Sequence, residues 1–211
     1  MDFNSVIGTA IREVENSERD GKPTHIVRVE YAFATTPNDL WNALTKRVRL
    51  QRWFAEVSGN LEEGGHFSVK GNASGEILTC RPPELLALTW ELSGSVSWVT
   101  IKIEKAEDGT RLTLEHELPT DEKSEAHWEK YGPAATGVGW ECGLLGLGTH
   151  IVNPDISLLE AAEAWAEGLQ GKATLREWAT AWGEADINSG APPQAAKEAA
   201  ERTAAFYTGE G

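Results

Sequence analysis

Little in this 211-residue chain suits covalent staples or membranes. Cysteine occurs twice, at Cys80 and Cys142, too few for a disulfide framework or a four-cysteine metal site. Two buried free thiols are the simplest reading, and a bridge between them stays open. No apolar run approaches the roughly 20 residues of a membrane-spanning helix, so the chain does not read as membrane-integral. Positive charge is also scarce: 19 Lys and Arg face 33 Asp and Glu, for a net charge of −14. That balance repels phosphate backbones and argues against nucleic acid as a partner. The opening "MDFNSVIGTA" has no basic segment leading into an apolar one, so no secretory signal is expected and a cytoplasmic location is.

What the chain does have is periodicity. Phe3, Val6, Ile7, Ala10, Ile11 and Val14 fall at helical spacing before the polar break "NSERDGKP", which predicts an N-terminal helical arm within residues 1–24, then a linker. From His25 the period becomes two, with Val27, Val29, Tyr31 and Phe33 on one face of a first strand. "TTPNDLWNAL" supplies a threonine cap at Thr36, proline at the first helical position and Asp39 three residues after the cap. A break near Thr45 separates that helix from a second short one.

Six short strands follow, "AEVSG", "GHFSVKG", "GEILTCR", "ELLALTWEL", "VSWVTIKIEKA" and "TRLTLEHEL", parted by turn chemistry such as "EDGT". Their spacing predicts an antiparallel meander. The alternation sends inward Phe67 and Val69, then Leu86, Leu88 and Trp90, then Val99, Ile101 and Ile103, then Leu112, Leu114 and His116. One buried face needs a cover, which the apolar pattern after Tyr131 can supply. "HWEKYGPAAT" before it reads as a loop, and residues 153–211 as an extension of three helices near 156–168, 175–187 and 194–207. These alanine- and tryptophan-rich helices would pack on the domain or, in a homodimer, on a second copy.

The stretch "TGVGWECGLLGLG" holds five glycines within thirteen residues. A dinucleotide fingerprint needs G-x-G-x-x-G directly after a strand; Gly137, Gly139 and Gly143 are spaced one residue too widely, and no Gly-Lys-Ser/Thr follows. The stretch reads instead as a buried helix whose glycines permit close packing or leave room for a bound molecule.

With its residues in order, the chain resembles the START-like helix-grip superfamily called SRPBCC, in the branch similar to the C-terminal domain of the heat-shock-protein-90 ATPase activator. The resemblance rests on "TPNDLWNALT", "RWF", "EEGGHF", "GEILTCRPPELLALTWEL", "GTRLTLEHE" and "GVGWECGLLGL", and covers about residues 25–152. The ending "AAFYTG" resembles actinobacterial single-domain members. The resemblance implies an α+β helix-grip domain over 25–152, a curved antiparallel sheet wrapped around a long helix, with an apolar cavity between them. Relatives bind lipids or hydrophobic small molecules, cyclise polyketides or act as co-chaperones, so the fold implies no single activity.

The walls of such a cavity would be Trp53, Phe67, Trp90, Val99, Leu114, His116, Trp140 and Leu144. His116 ends an inward series and is the clearest ionisable group there, able to bond a ligand or to serve as acid or base in a cyclase or hydrolase. Glu91, Glu115 and Glu117 alternate outward, and His127 and His150 have no ligand spacing to a carboxylate pair, so no catalytic set, metal site or cofactor is expected. The expectation is a non-catalytic module for a hydrophobic or amphipathic small molecule or lipid, with an enzyme and a chaperone-associated interaction protein as the alternatives.

Overall fold

The computed structural model describes residues 9–155 and 159–210. Over the described part of the N-terminal segment β-pairing overrides helical spacing. Strand β1 (Ile11–Arg19) turns directly into β2 (Lys22–Phe33), where an arm and a linker were expected. The turn is Asp20-Gly21, both at positive φ (53° and 74°), which is what a tight primed hairpin turn requires and Asp-Gly readily adopts. Arg28 on β2 then pairs with Glu13 and Glu15 on β1. The apparent linker is the turn end of a hairpin, with Asn16, Glu18 and Asp20 exposed and Ser17 and Arg19 half-buried; positions 3–7 of the expected arm lie outside the described residues.

Helix α1 (Pro37–Thr45) begins as its cap chemistry dictates, with the Asp39 N–H donating to Thr36 Oγ1 at 3.2 Å. It ends at the extended residue Lys46, and α2 (Arg47–Trp53) starts afresh. The meander is β3 (Val57–Gly59), β4 (His66–Val69), β5 (Ser74–Arg81), β6 (Leu85–Leu92), β7 (Ser95–Ala106) and β8 (Gly109–Pro119). The antiparallel sheet has eight strands in the order β1-β2-β8-β7-β6-β5-β4-β3. A register shift between Ile77 and Thr79 lets Ile77 face Leu88 and Cys80 face Leu86, while Leu78 is exposed.

After the sheet comes α3 (Glu122–Tyr131), capped by Asp121, whose side chain accepts from the Ser124 N–H at 2.9 Å. The sequence reads as a loop there because no residue of this helix is buried and no apolar stripe marks it. The glycine-rich stretch forms α4 (Ala134–Val152), a helix as expected. Then come α5 (Leu159–Glu167), α6 (Leu169–Asn188) and α7 (Pro193–Thr208), which ends at Gly209 in the left-handed conformation.

The chain divides into two compact units. The first holds residues 30–116, 143–155 and 159, with the described residues up to Ile11. Its buried residues include Tyr31 and Phe33 on β2, Leu40 and Ala43 on α1, Val99, Ile101 and Ile103 on β7, and Leu112 and Leu114 on β8. The second holds residues 12–29, 117–142 and 160–210. Its buried residues include Val27, Val29, Val138, Leu175 and Trp182 with several alanines, and α6 and α7 approach so closely that a Cβ on Gly183 would lie 2.9 Å from the Cβ of Ala200.

Candidate functional site

The inner face of the first unit follows from register. Leu86 lies opposite Ile101, Leu88 opposite Val99 and Trp90 opposite Ser97. Val99 and Leu114 are buried, as is Phe67 on β4, whereas Leu86, Leu88 and Trp90 on the same face stay half-buried. They pack beside Phe54, Val57 and Leu61 around a small core of Phe67, Val69 and Ile77. A line of rings crosses this face: Phe67 to Trp90 at 6.2 Å, then Trp90 edge-on to His116 at 6.5 Å.

His116 is buried and its Nε2 lies 2.8 Å from Ser97 Oγ. Ser97 donates its one proton to the Trp90 carbonyl at 3.0 Å, so the imidazole donates through Nε2–H and the neutral tautomer is set. Burial pushes the imidazole pKa down to about 3. A group held neutral this firmly is a poor acid or base near pH 7, whereas it is a good hydrogen-bonding handle. The flanking carboxylates are engaged elsewhere: Glu115 with Lys102, Glu117 with Arg19 and Thr24.

Trp53 ends α2, donates its indole N–H to the Ala43 carbonyl at 3.1 Å and stacks obliquely on Phe54. Its polar edge is therefore committed within the helical pair. On α4, Leu144 is buried, and a Cβ on Gly146 would sit 3.0 Å from the Trp53 carbonyl, so glycine is what lets α2 approach. A Cβ on Gly143 would meet nothing within 4 Å. Of the eight residues named from the sequence, Phe67, Trp90, Val99, Leu114 and His116 share the inner face, and Trp53 and Leu144 sit on helices of the same unit. Trp140 belongs to the second unit, where it is half-buried.

Three groups escape sequence reasoning. Ser97 precedes Val99 by two and was visible in the alternation. Glu141, fully buried in the second unit, is clasped by Arg12 through two bonds of 2.8 and 2.7 Å and receives the Trp182 indole N–H at 2.6 Å. A lone carboxylate in an apolar helix was the signal, because a buried charge demands a partner. The same packing explains Gly137, whose Cβ would lie 2.1 Å from the Trp182 ring. The third group is Asp39, Arg49 and His150. The Asp39 carboxylate accepts from Thr35 (2.8 Å) and Arg49 (2.6 Å), and Arg49 Nε donates to His150 Nε2 at 3.0 Å. Burial and the neighbouring Arg49 and Arg52 guanidiniums hold the His150 pKa below its ordinary value.

Cys80 and Cys142 are free thiols. Among the described residues no group of three His, Cys, Asp or Glu could hold a metal ion, and no helix is long and apolar enough to cross a membrane.

Residues 34–147, more than half of the chain, match the family described as activator of Hsp90 ATPase homolog 1-like protein. Among solved structures the chain is similar to CalU16 from Micromonospora echinospora. The solution structure is 28% identical, with 86% of this chain and 97% of that chain covered at a TM-score of 0.70. The crystal structure is 27% identical, covering 84% and 98% at 0.66. MLL2253 from Mesorhizobium loti, 21% identical over 62% of this chain and 99% of that chain at a TM-score of 0.53, shares the fold. No curated protein gives a match. With its eight-stranded sheet, paired short helices and glycine-rich α4, the chain belongs to the activator of Hsp90 ATPase homolog 1-like family and has an α+β helix-grip (START-like) fold.

Proposed function

We propose that the chain is a non-catalytic binding module that takes a hydrophobic or amphipathic small molecule, lipids included, against the inner face of the first unit. The observation that carries this reading is the half-buried state of Leu86, Leu88 and Trp90 on a face where Phe67, Val99, Leu114 and His116 are buried. Apolar side chains at such positions gain roughly 25 cal/mol for each Å² a ligand covers, before the ordering costs of binding. The neutral His116–Ser97 pair supplies a polar handle, and the open space at Gly143 supplies room. The low pKa of His116 favours binding over acid–base catalysis. Native mass spectrometry of protein purified without detergent, followed by a screen of lipids and aromatic compounds read by tryptophan fluorescence, tests this. A co-purified or screened ligand whose affinity drops in Trp90→Ala supports it; no ligand in either experiment refutes it.

Family membership favours a second reading, that the chain acts on an Hsp90-type chaperone in the cytoplasm. A pull-down with the cognate chaperone and a measurement of its ATPase rate decide it, and neither enrichment nor a rate change would remove it. The exposed Leu169 and Phe206 of the second unit favour a homodimer through the C-terminal helices, to be tested by light scattering.

A further inference from the structure

His150 is 1% exposed, and its two ring nitrogens differ. Nε2 accepts the Arg49 Nε–H, so in the neutral ring the proton sits on Nδ1. Arg49 is itself fixed, its Nη1 donating to the Asp39 carboxylate and to the Asp39 carbonyl at 3.1 Å. Thr35, Asp39, Arg49 and His150 thus form one chain of hydrogen bonds that ends in an N–H pointing away from it. That last donor, Nδ1–H, is buried and has no acceptor among the described residues. A buried donor left unsatisfied is costly, so its persistence asks for an acceptor.

The helix shows where an acceptor would come from. Residues seven apart lie within about 20° on an α-helix, so His150 projects on the same side of α4 as Gly143, roughly 10 Å further along. Side chains on a helix lean toward its N-terminus, which inclines His150 toward the Gly143 end of α4. On that side the Trp53 carbonyl of α2 stands over Gly146, and one turn further on a Cβ on Gly143 would meet open space.

We infer that His150 Nδ1–H is a preset donor for an oxygen acceptor on the bound molecule, which makes an apolar compound bearing a carbonyl the ligand class of this module. The inference rests on the binding reading above and adds the polar group that orients the ligand. A neutral donor that Arg49 locks in one tautomer selects an acceptor and disfavours a ligand presenting a donor or a cation at that end.

The test uses the full chain and two probes of equal shape, 2-nonanone and 2-methyl-1-nonene, in which C=CH2 replaces C=O. The ketone is expected to bind about tenfold more tightly, in line with one hydrogen bond to a buried donor. The preference should vanish in His150→Phe. Since that variant removes the acceptor of Arg49 and could fail to fold, 15N NMR of the wild-type imidazole provides a second readout. His150 should show the Nδ1–H tautomer at pH 7, and its Nδ1 resonance should shift with the ketone and not with the alkene. Equal binding of both probes, a preference that survives in folded His150→Phe, or an Nε2–H tautomer overturns the inference and leaves the binding module standing. Binding of neither probe counts against the binding module itself, and this inference falls with it.

Discussion

Replacing Arg12 by methionine strands the Glu141 carboxylate. The Arg12 side chain is 16% exposed and that of Glu141 is 0% exposed, so the charge left behind cannot reach water without opening the second unit. The Trp182 indole N–H at 2.6 Å still donates to it but carries no full charge. Breaking a buried pair by removing one member costs about 3–5 kcal/mol, which for a chain of this length lowers the melting temperature by about 6–20 °C. Glu141→Leu should cost less, about 2 kcal/mol, because Arg12 retains a path to solvent while the Trp182 N–H loses its acceptor. The double replacement removes both charges and should cost less than Arg12→Met alone. Urea unfolding followed by tryptophan fluorescence reports all three, and a buried pair predicts little change in these differences with added salt. An Arg12→Met cost below about 1 kcal/mol, or a double variant whose loss equals the sum of the two singles, would refute the reasoning.

Other outcomes follow from single observations. Gly137→Ala puts a methyl 2.1 Å from the Trp182 ring and should destabilise by about 3 kcal/mol, while Gly143→Ala, with nothing within 4 Å, should be neutral or stabilising by up to about 1 kcal/mol; calorimetric melting of both decides it. With its pKa lowered to about 3, folded His116 binds no proton between pH 3 and 6.5 whereas the unfolded residue does, so it contributes stability that is whole above pH 6.5 and falls as pH drops toward 3. The loss over that window is at most on the order of 5 kcal/mol, and NMR that finds a charged His116 ring at pH 5 would contradict it. Burial, with Glu141 beside it, pushes the Cys142 thiol up to about 12, so native protein should resist iodoacetamide at Cys142 and react there only on unfolding, which peptide mapping by mass spectrometry can follow.

Sequence made the meander legible because its inner face is continuous. Val99, Ile101 and Ile103, or Leu112, Leu114 and His116, leave no doubt about period two, and the turns between strands carry their own chemistry. Helix α1 was equally plain from Thr36 and Pro37. The failures lie where one local signal admits two structures. Ile11 and Val14 fit a helix stripe as well as alternate faces of β1, and the hairpin turn Asp20-Gly21 outweighs that spacing. Helix α3 offers no buried residue to give it a stripe, so only its Asp121 cap marked it. In the candidate site the inward alternation named the rings and His116, because burial follows from period. The partners of Glu141 and His150 lie 129 and 101 residues away in sequence, on Arg12 and Arg49, and no local pattern can join residues so far apart.

The glycines of α4 divide by what stands opposite them. Gly137 faces the Trp182 ring, Gly139 the Tyr207 hydroxyl at 2.9 Å and Gly146 the Trp53 carbonyl, so each of these three is accounted for by a group that needs the missing Cβ. A glycine in a helix interior costs up to about 1 kcal/mol against alanine, and close packing offsets that cost at those positions. Gly143 has no such neighbour, so packing does not account for it. If the binding reading holds, Gly143 is the one glycine of these four kept for a ligand, and it should respond to bulk differently from the others. Gly143→Leu should leave the melting temperature within a few degrees of the parent and abolish binding of 2-nonanone, while Gly146→Ala should perturb the α2 contact before it touches affinity. A Gly143→Leu protein that binds the ketone undiminished would mean that the space beside this residue is ordinary solvent, and the ligand would have to be sought along Leu86, Leu88 and Trp90 alone.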